Sequence, residues 1–291
     1  MELIKITDIC YYIDSPAKIG IIKTGENEVC LIDSGLDKDT GKKVLKILDS
    51  NGWQLKTIYN THSNADHIGG NRFLQEKTGC KIYAYGIESP LTRHPILEPS
   101  FLYAGNPPKE LRGKFLLAAE SDVEYLTPDV LPQGFEIIEL KGHFFDMVGF
   151  RSPDGVVYLA DCLSSKETLD KYQIGFIYDV AAYLDTLEKL KSMEGRIFVP
   201  AHAAATENIT ELAQYNIDKV NEIADLITEL CAEPICFEAL LKKLFDHYSL
   251  VMNFQQYALV GSTVKSYLTY LKDMGKIEAY FEDNMLFWKK I

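Results

Sequence analysis

The 291-residue sequence is short of positive charge and has no long apolar run. Its 30 basic residues stand against 42 acidic ones, which gives a formal net charge of −12 and a pI near 5. An acidic surface repels phosphate backbones before any specific contact forms, so the composition disfavours nucleic acid as a partner. Without an apolar run or a start typical of a signal peptide, the sequence predicts a cytoplasmic protein with no membrane segment.

Closely paired cysteines are also missing. The six cysteines are scattered, and no two have the CxxC spacing of zinc ribbons or redox sites. We therefore expect most of them to be reduced core residues. Histidine is equally scarce at six residues, but four of the six occur in short segments beside other side chains that can bind metal.

The pattern of apolar residues divides the chain into two similar halves and a tail. Early strand-like runs lead into a strand–helix–strand pattern, and strands, a helix and a further strand return over residues 135–199. Residues 89–122 contain five prolines and no periodicity, which predicts an insertion. We place a domain boundary after residue 214, so that residues 1–214 form one domain and residues 215–291 a small helical one.

The segment over residues 61–70 packs two imidazoles, an amide and a carboxylate into six positions. In an extended loop, residues i and i+2 point the same way, so His62 and Asn64 can face one ion while Asp66 and His67 turn towards another. Zinc and iron accept imidazole nitrogen and carboxylate oxygen. The alternative is a capped helix start with incidental histidines.

The segment resembles the signature of the metallo-β-lactamase superfamily, whose usual form is HxHxDH, and four further motifs follow the family's order. The resemblance implies an αββα sandwich of the metallo-β-lactamase fold over residues 1–214. It also implies that Asp33, after a predicted strand, supports the metal loop from behind. The metal ligands that it implies are His62, Asn64, Asp66, His67, His143, Asp161 and His202.

The same resemblance assigns roles to these residues. His143 joins His62 in a first metal site, Asp161 bridges two metals, and His202 completes a second site with Asp66. The implied enzyme is a hydrolase in which metal-bound water attacks an ester, thioester, lactone or phosphoester, with Asp66 or Asp161 as proton acceptor. Zinc is the expected cofactor, as one or two ions, with iron or manganese as alternatives.

Asn64 departs from the family pattern, which has histidine at this position. An amide oxygen is a harder and weaker ligand for zinc than an imidazole nitrogen, whereas the second site remains complete. Three outcomes stay open: one ion at the second site, two ions with Asn64 or water in the first, or a preference for iron or manganese.

The insertion and the tail suggest how the site is enclosed. Aromatic and basic residues of the insertion suit a lid over a small anionic substrate, but proline-rich insertions also pack onto the host domain or onto a second subunit. Helices followed by a hairpin in the tail resemble a winged helix, which some superfamily members carry. Residues 215–291 hold eight lysines, no arginine and eleven acidic residues, a net charge of −3. This charge favours a cleft wall or a homodimer contact over nucleic acid.

Three rival functions stay open at this point. They are a nonheme iron oxidoreductase of the same fold, a nuclease acting on RNA or single-stranded DNA, and a non-catalytic metal-binding protein whose first site decayed at Asn64. His94 and His247 match no family motif, and we predict that both are surface residues.

Overall fold

The computed structural model describes all residues 1–291 and contains two large sheets. The first has seven strands in sequence order: β1 (Glu2–Lys5), β2 (Cys10–Asp14), β3 (Ile19–Lys23), β4 (Glu28–Ile32), β5 (Gln54–Asn60), β6 (Lys81–Ala84) and β7 (Glu124–Tyr125). The second has four strands, β8 (Glu136–Glu139), β9 (Val148–Arg151), β10 (Val156–Ala160) and β11 (Ile197–Pro200), in the order β11-β10-β9-β8.

Helices follow the strands along the chain. They are α1 (Lys38–Ser50), α2 (Ala65–Ile68), α3 (Asn71–Thr78), α4 (Glu88–Arg93), α5 (Leu97–Tyr103), α6 (Lys166–Tyr172), α7 (Val180–Lys191), α8 (Thr210–Leu230), α9 (Phe237–His247) and α10 (Phe254–Asp273). A third, small sheet has the order β12-β14-β13 and consists of β12 (Ile235–Cys236), β13 (Ile277–Glu282) and β14 (Met285–Lys290).

Alternation along the strands produces four layers. In β5, Ile58 packs with Val44 of α1, while the adjacent Tyr59 points to the other face and packs with Phe150 of β9. Because successive side chains of a strand face opposite sides, one sheet can bury a helix layer and a second sheet at once. The outer face of the second sheet packs in the same way against α7 and α8. The predicted αββα sandwich is therefore confirmed.

Several boundaries differ from the sequence prediction. Residues 3–13, which the apolar pattern predicts as one strand-like run, are a hairpin of two strands, β1 and β2. The helix that the pattern predicts over residues 260–274 is α10, which begins six residues earlier at Phe254, because the side chain of Asn253 caps it by accepting from the backbone N–H of Gln256. Helix α6 was not predicted at all, although Ser165 caps it. The insertion contains only short helices, as its prolines predict.

The C-terminal residues share one apolar core with the second half of the sandwich. Leu187 of α7 and Leu268 of α10 belong to the same buried cluster, and α8 runs continuously through the predicted boundary. The predicted hairpin is present and turns at Asp283 and Asn284, both left-handed. The division after residue 214 and the likeness to a winged helix stay predictions. No helix has the length and apolarity that crossing a bilayer requires.

The shared core predicts that the chain unfolds as one unit. Leu268→Ala should lower the free energy of unfolding by about 2 to 5 kcal/mol, because it leaves a cavity in this core. The two tryptophans, Trp53 near α1 and Trp288 in β14, report on opposite parts of the molecule. The Trp53→Phe and Trp288→Phe backgrounds each keep one tryptophan as the probe. Leu268→Ala should lower the urea midpoint of unfolding by the same amount in both backgrounds. Thr269→Ala, at the neighbouring exposed position, is the control. A lower midpoint only in the background that keeps Trp288 would indicate two independent domains.

Candidate metal centre

The predicted site residues come together at one edge of the sandwich. Asp33 follows β4 and His62 lies two residues beyond β5, and these strands pair in parallel. Asp161 follows β10 and His202 lies two residues beyond β11, which also pair in parallel. Since the carboxyl ends of neighbouring parallel strands lie at the same edge, residues far apart in the sequence meet there.

The loop after β5 is only partly extended, which corrects the sequence prediction. Asn64 has extended dihedral angles (φ −62°, ψ 144°), but residues 65–68 form the single helical turn α2. This turn carries Asp66 and His67 past His62, whose ring centroid lies 4.1 Å from that of His67. Two groups of donor atoms result, each with all its atoms within 4.8 Å of one another. The second-site group contains Asp66, His67, Asp161 and His202, and the first-site group contains His62, His143 and Asp161.

Asp161 lies between the two groups. Its Oδ2 is 3.1 Å from His202 Nε2 and 3.7 Å from His143 Nε2, and its Oδ1 is 3.1 Å from His67 Nε2. Asp66 Oδ2 lies 3.3 Å from the same His202 nitrogen. One carboxylate therefore faces donors of both groups, as the family resemblance implies for a bridging residue.

Asp33 supports the loop from beneath. It is left-handed (φ 63°), which asparagine and aspartate tolerate better than most residues. The backbone N–H of Thr61 donates to its Oδ1 at 2.8 Å, and the Thr61 hydroxyl and His67 Nδ1 both donate to its Oδ2 at 2.7 Å. His62 Nδ1 lies 3.0 Å from that hydroxyl oxygen. The histidine rings are thus oriented by their Nδ1 atoms, directly or through Thr61.

The other two histidines are held in the same way by backbone carbonyl groups. His143 Nδ1 donates to Phe176 O at 3.0 Å, and His202 Nδ1 donates to Pro16 O at 2.8 Å. A carbonyl oxygen only accepts, so the ring proton on Nδ1 is required and Nε2 is directed to the centre. This arrangement is typical of metal-ligating histidines.

Three buried donor atoms in the centre have no hydrogen-bond partner: His62 Nε2, His67 Nε2 and Asp161 Oδ1. An unsatisfied buried polar atom costs about 1 to 3 kcal/mol, and such atoms are rare in folded proteins. Divalent cations held by the two groups would satisfy all three atoms. The imidazole and carboxylate donors present here are the set that zinc and iron accept, so the residues fit such an ion.

Burial and charge separate the histidines into two classes. Burial lowers the pKa of His143, and it lowers that of His62 well below its usual range. Burial also acts to lower the pKa of His202, but the carboxylates of Asp161 and Asp66 outweigh it and raise that pKa to about 10. The second-site group therefore carries strong negative potential, while the first-site group relies on neutral imidazoles.

Asn64 does not act as a helix cap, although it stands at the first turn of α2. Its side chain makes no capping hydrogen bond. Instead Nδ2 donates to Glu98 Oε1 at 2.8 Å, and Oδ1 lies 3.1 Å from His143 Nε2. The alternative of a capped helix start with incidental histidines is therefore not supported.

Glu98, on α5 of the insertion, is a buried site residue that the sequence did not reveal. Burial raises the pKa of its carboxyl well above the usual range. It is 34 positions from Asn64, and no spacing rule links a glutamate in an aperiodic, proline-rich segment to that loop.

Glu88 is a second buried carboxyl that sequence reasoning missed. It accepts from the backbone N–H of Ser63 at 3.0 Å, from the Ser63 hydroxyl at 2.6 Å, and from the backbone N–H of Asp146 at 2.9 Å. Ser63 lies between two predicted ligands, and Asp146 lies in the loop that carries His143. Glu88 therefore ties together the two loops that form the first-site group.

Two close backbone approaches require glycine beside the ligands. A Cβ on Gly69 would overlap the carbonyl group of Leu36, and one on Gly142 would overlap the backbone of Tyr183. Gly142 is also left-handed at φ 115°. These glycines let the loops that carry His67 and His143 lie directly against their supports.

A cavity of about 340 Å³ opens onto the centre. Asp66, Asn64, Glu98, His143 and Asp161 form its polar side. Its apolar side includes Phe115 and Leu116 of the insertion, Phe176, and Leu259 of α10. Both the insertion and the C-terminal region therefore form walls of the cleft.

Three further sequence predictions concern the insertion, the two histidines outside the centre and the cysteines. Phe101 packs on Phe145 and Tyr178, with ring centroids 5.2 and 5.8 Å apart, so part of the insertion lies on the host domain. His94 and His247 are exposed, as predicted. All six cysteines are free, and five are buried.

Comparison with known sequences identifies the family. The family model described as "Metallo-beta-lactamase superfamily" matches residues 14–202. The chain therefore belongs to the metallo-β-lactamase superfamily. Among curated relatives, a hydroxyacylglutathione hydrolase of Pelagibacter ubique is 38% identical over 65 residues, which cover 22% of this chain and 26% of the relative. One from Rhodopseudomonas palustris is 25% identical over 136 residues, 45% of this chain and 43% of the relative. The matches thus span less than half the length of these relatives.

Solved structures extend the likeness in fold to the whole chain. A beta-lactamase domain protein from Burkholderia ambifaria has a TM-score of 0.77 at 13% identity and covers 100% of this chain and 94% of its own. A metallo-beta-lactamase family protein from Thermus thermophilus has a TM-score of 0.73 at 18% identity, with 99% and 97% covered. At these identities the likeness shows the fold, including that of the C-terminal region.

The burial of Glu88 predicts a pH-dependent contribution to stability. Burial raises its pKa to about 7, so the neutral form stabilises the fold at low pH, and this contribution is lost as pH rises through 7. The stability of the native protein relative to Glu88→Gln should therefore fall by roughly 2 to 3 kcal/mol between pH 5 and pH 8. Urea titrations of both proteins in the presence of a chelator measure this difference. A difference that does not change with pH would contradict the prediction.

Proposed function

We propose that this protein is a metal-dependent hydrolase that cleaves an ester, thioester, lactone or phosphoester. The observation that carries the proposal is a pair of imidazole and carboxylate clusters that share Asp161, itself part of the cavity wall, and that leave His62 Nε2 and His67 Nε2 buried without a hydrogen-bond partner. The curated relatives are named hydroxyacylglutathione hydrolases, which supports hydrolysis as the reaction class. A cytoplasmic location is part of the proposal, supported by the free cysteines.

In this proposal His62, His143 and Asn64 hold a first ion with Asp161, and Asp66, His67 and His202 hold a second one with the same Asp161. Zinc is the proposed ion, with iron or manganese as alternatives at the first site. Bound divalent ions supply Lewis acidity and bring a water molecule towards neutral pKa.

The protein groups around the cavity would orient the reactants and move protons. Both carboxylates line the cavity, but Asp161 faces both groups and its side chain is 10% exposed, whereas that of Asp66 is 34% exposed. We therefore assign Asp66 as the acceptor of the water proton and Asp161 as the bridging ligand. The apolar wall would exclude bulk water, which strengthens every electrostatic interaction inside the cleft.

The lining of the cavity favours an uncharged acyl group over the anionic substrate that a lid formed by the insertion would suit. Its acidic members are Asp66, Glu98 and Asp161, and it includes no lysine or arginine. Lys114 of the insertion is directed instead to Asp37, at 2.8 Å. A carboxylate in the acyl chain of the substrate would lose its hydration on binding, and no basic side chain of the cavity would pair with it. We therefore propose a small substrate with an apolar acyl chain.

Metal content and activity test the proposed reaction. Plasma mass spectrometry on protein purified without added metal or chelator should find two equivalents of metal per chain, and iron in place of zinc would favour the oxidoreductase.

The metal-loaded protein should hydrolyse simple esters or thioesters and lose this activity to a chelator. His202→Ala should lower kcat/KM by roughly 100-fold or more, because ligand loss removes several kcal/mol of charge stabilisation. His247→Ala, an exposed histidine far along the chain, should change nothing. A loaded protein inactive on every ester, thioester, lactone and phosphoester would refute the proposal.

A pair of esters with acyl chains of equal length tests the substrate class. The butyryl ester should exceed the hemisuccinyl ester in kcat/KM by about tenfold, which corresponds to about 1.4 kcal/mol. Leu259→Lys places a cation on the apolar wall and should reduce or reverse this preference, while Leu259→Gln, polar but uncharged, should not. Faster hydrolysis of the hemisuccinyl ester by the native protein would contradict this proposal and indicate an anionic substrate.

A further inference from the structure

Asn64 is held at both ends of its amide group. Its Nδ2 donates to Glu98 Oε1 at 2.8 Å, and its Oδ1 lies 3.1 Å from His143 Nε2. Both Asn64 and Glu98 line the cavity over the centre, and Glu98 is buried. The amide that replaces the family's second histidine is therefore a fixed group rather than a mobile polar one.

Glu98 determines which end of the amide faces the centre. A carboxyl oxygen accepts from the amide NH₂ whether the other oxygen of Glu98 is protonated or not. With Nδ2 engaged in this bond, the Oδ1 atom of Asn64 is directed towards His143. Where Oε1 carries no proton, rotating the amide by 180° would bring the amide oxygen against Glu98 Oε1, acceptor to acceptor.

The spacing of the two inner atoms suits a shared ion. Two ligands at 2.0–2.1 Å from one tetrahedral ion lie roughly 3.4 Å apart. The observed 3.1 Å between Asn64 Oδ1 and His143 Nε2 is close to this separation. Since His143 Nδ1 donates to the Phe176 carbonyl, the Nε2 atom of the neutral ring offers a lone pair to the same point.

We infer that Glu98 is a positioning residue that presents the amide oxygen of Asn64 as a ligand of the first site. The inference rests on the proposed metal-dependent function. Hydrogen bonding from Nδ2 to a carboxyl increases the electron density on the amide oxygen, as a carboxylate does for a ligating histidine. The insertion therefore has a role in the metal centre, because it carries the residue that makes asparagine a usable substitute for histidine.

The anchoring of the insertion supports this role. Leu102 at the end of α5 and Leu111 are buried in a small cluster with Ala258 of α10. Glu98 lies one helical turn before Leu102 and is fixed by the same packing. The C-terminal region thus holds the helix that orients Asn64.

Metal affinity of the full-length protein tests the inference independently of activity. Zn²⁺ titration in competition with a chromophoric chelator should resolve two affinities in the native protein. Glu98→Met removes the hydrogen-bond acceptor while keeping a side chain of similar length. It should lower only the affinity for the more weakly bound ion, by roughly 10- to 100-fold. Glu98→Gln keeps an acceptor and should stay within a fewfold of native. Asn64→Leu, which removes the amide itself, should reproduce the loss even if the Met variant proves unstable, and Asn64→His should raise the weaker affinity.

Absorption spectra of the Co²⁺-loaded variants give a second readout, since loss of the Asn64 ligand should alter the first-site bands. Unchanged affinities in both Glu98→Met and Asn64→Leu would overturn the inference and leave the proposed function intact. A single ion in the native protein would also overturn it, while leaving a single-metal hydrolase. The absence of any bound ion would overturn both.

Discussion

The buried carboxylate of Asp33 constrains the centre more than any other group. A buried charge is tolerated only where hydrogen bonds replace its lost water, and Asp33 receives them from the backbone and hydroxyl of Thr61 and from His67. These bonds join the ends of β4 and β5 to the first turn of α2. Because His62 is oriented through the Thr61 hydroxyl, one carboxylate sets the direction of a ligand in each group. The positions of the inner atoms follow from this support, not from contacts among themselves.

Support from the opposite side comes from the C-terminal region. The Phe176 carbonyl that accepts from His143 lies in a segment bonded to α10, since Thr263 Oγ1 accepts from the Ile177 N–H at 3.1 Å and the Ser266 hydroxyl donates to Tyr178 O at 2.7 Å. The same helix contributes to the cavity wall and anchors the insertion. The appended helices are therefore part of the centre's scaffold, which agrees with their continuous core.

The strand-end ligands could be predicted from the sequence because each follows a local pattern. A buried strand followed by Asp161, or by the supporting Asp33, gives both the position and the edge of the sheet, whereas the turn α2 over residues 65–68 was not predicted. Glu88 and Glu98 could not be found in this way. Their partners Ser63 and Asn64 lie 25 and 34 positions away, and only the folded packing of α4 and α5 brings them together. The start of α10 was missed because its N-cap, Asn253, is a single polar residue that the apolar pattern does not mark.

Asp161 also shows where the site, not the strand, determines the backbone. The pairing of β10 with β11 shifts register between Tyr158 and Ala160, and Ala160 is left-handed at φ 50°. For an alanine this conformation costs about 1 to 2 kcal/mol, and it persists only where surrounding contacts determine it. The Ala201 N–H donates to the Ala160 carbonyl at 2.9 Å, which holds the strained residue against the end of β11. Regular continuation of β10 would direct the next side chain to one face of the sheet. The register shift and the left-handed residue instead turn Asp161 into the space that both donor groups share.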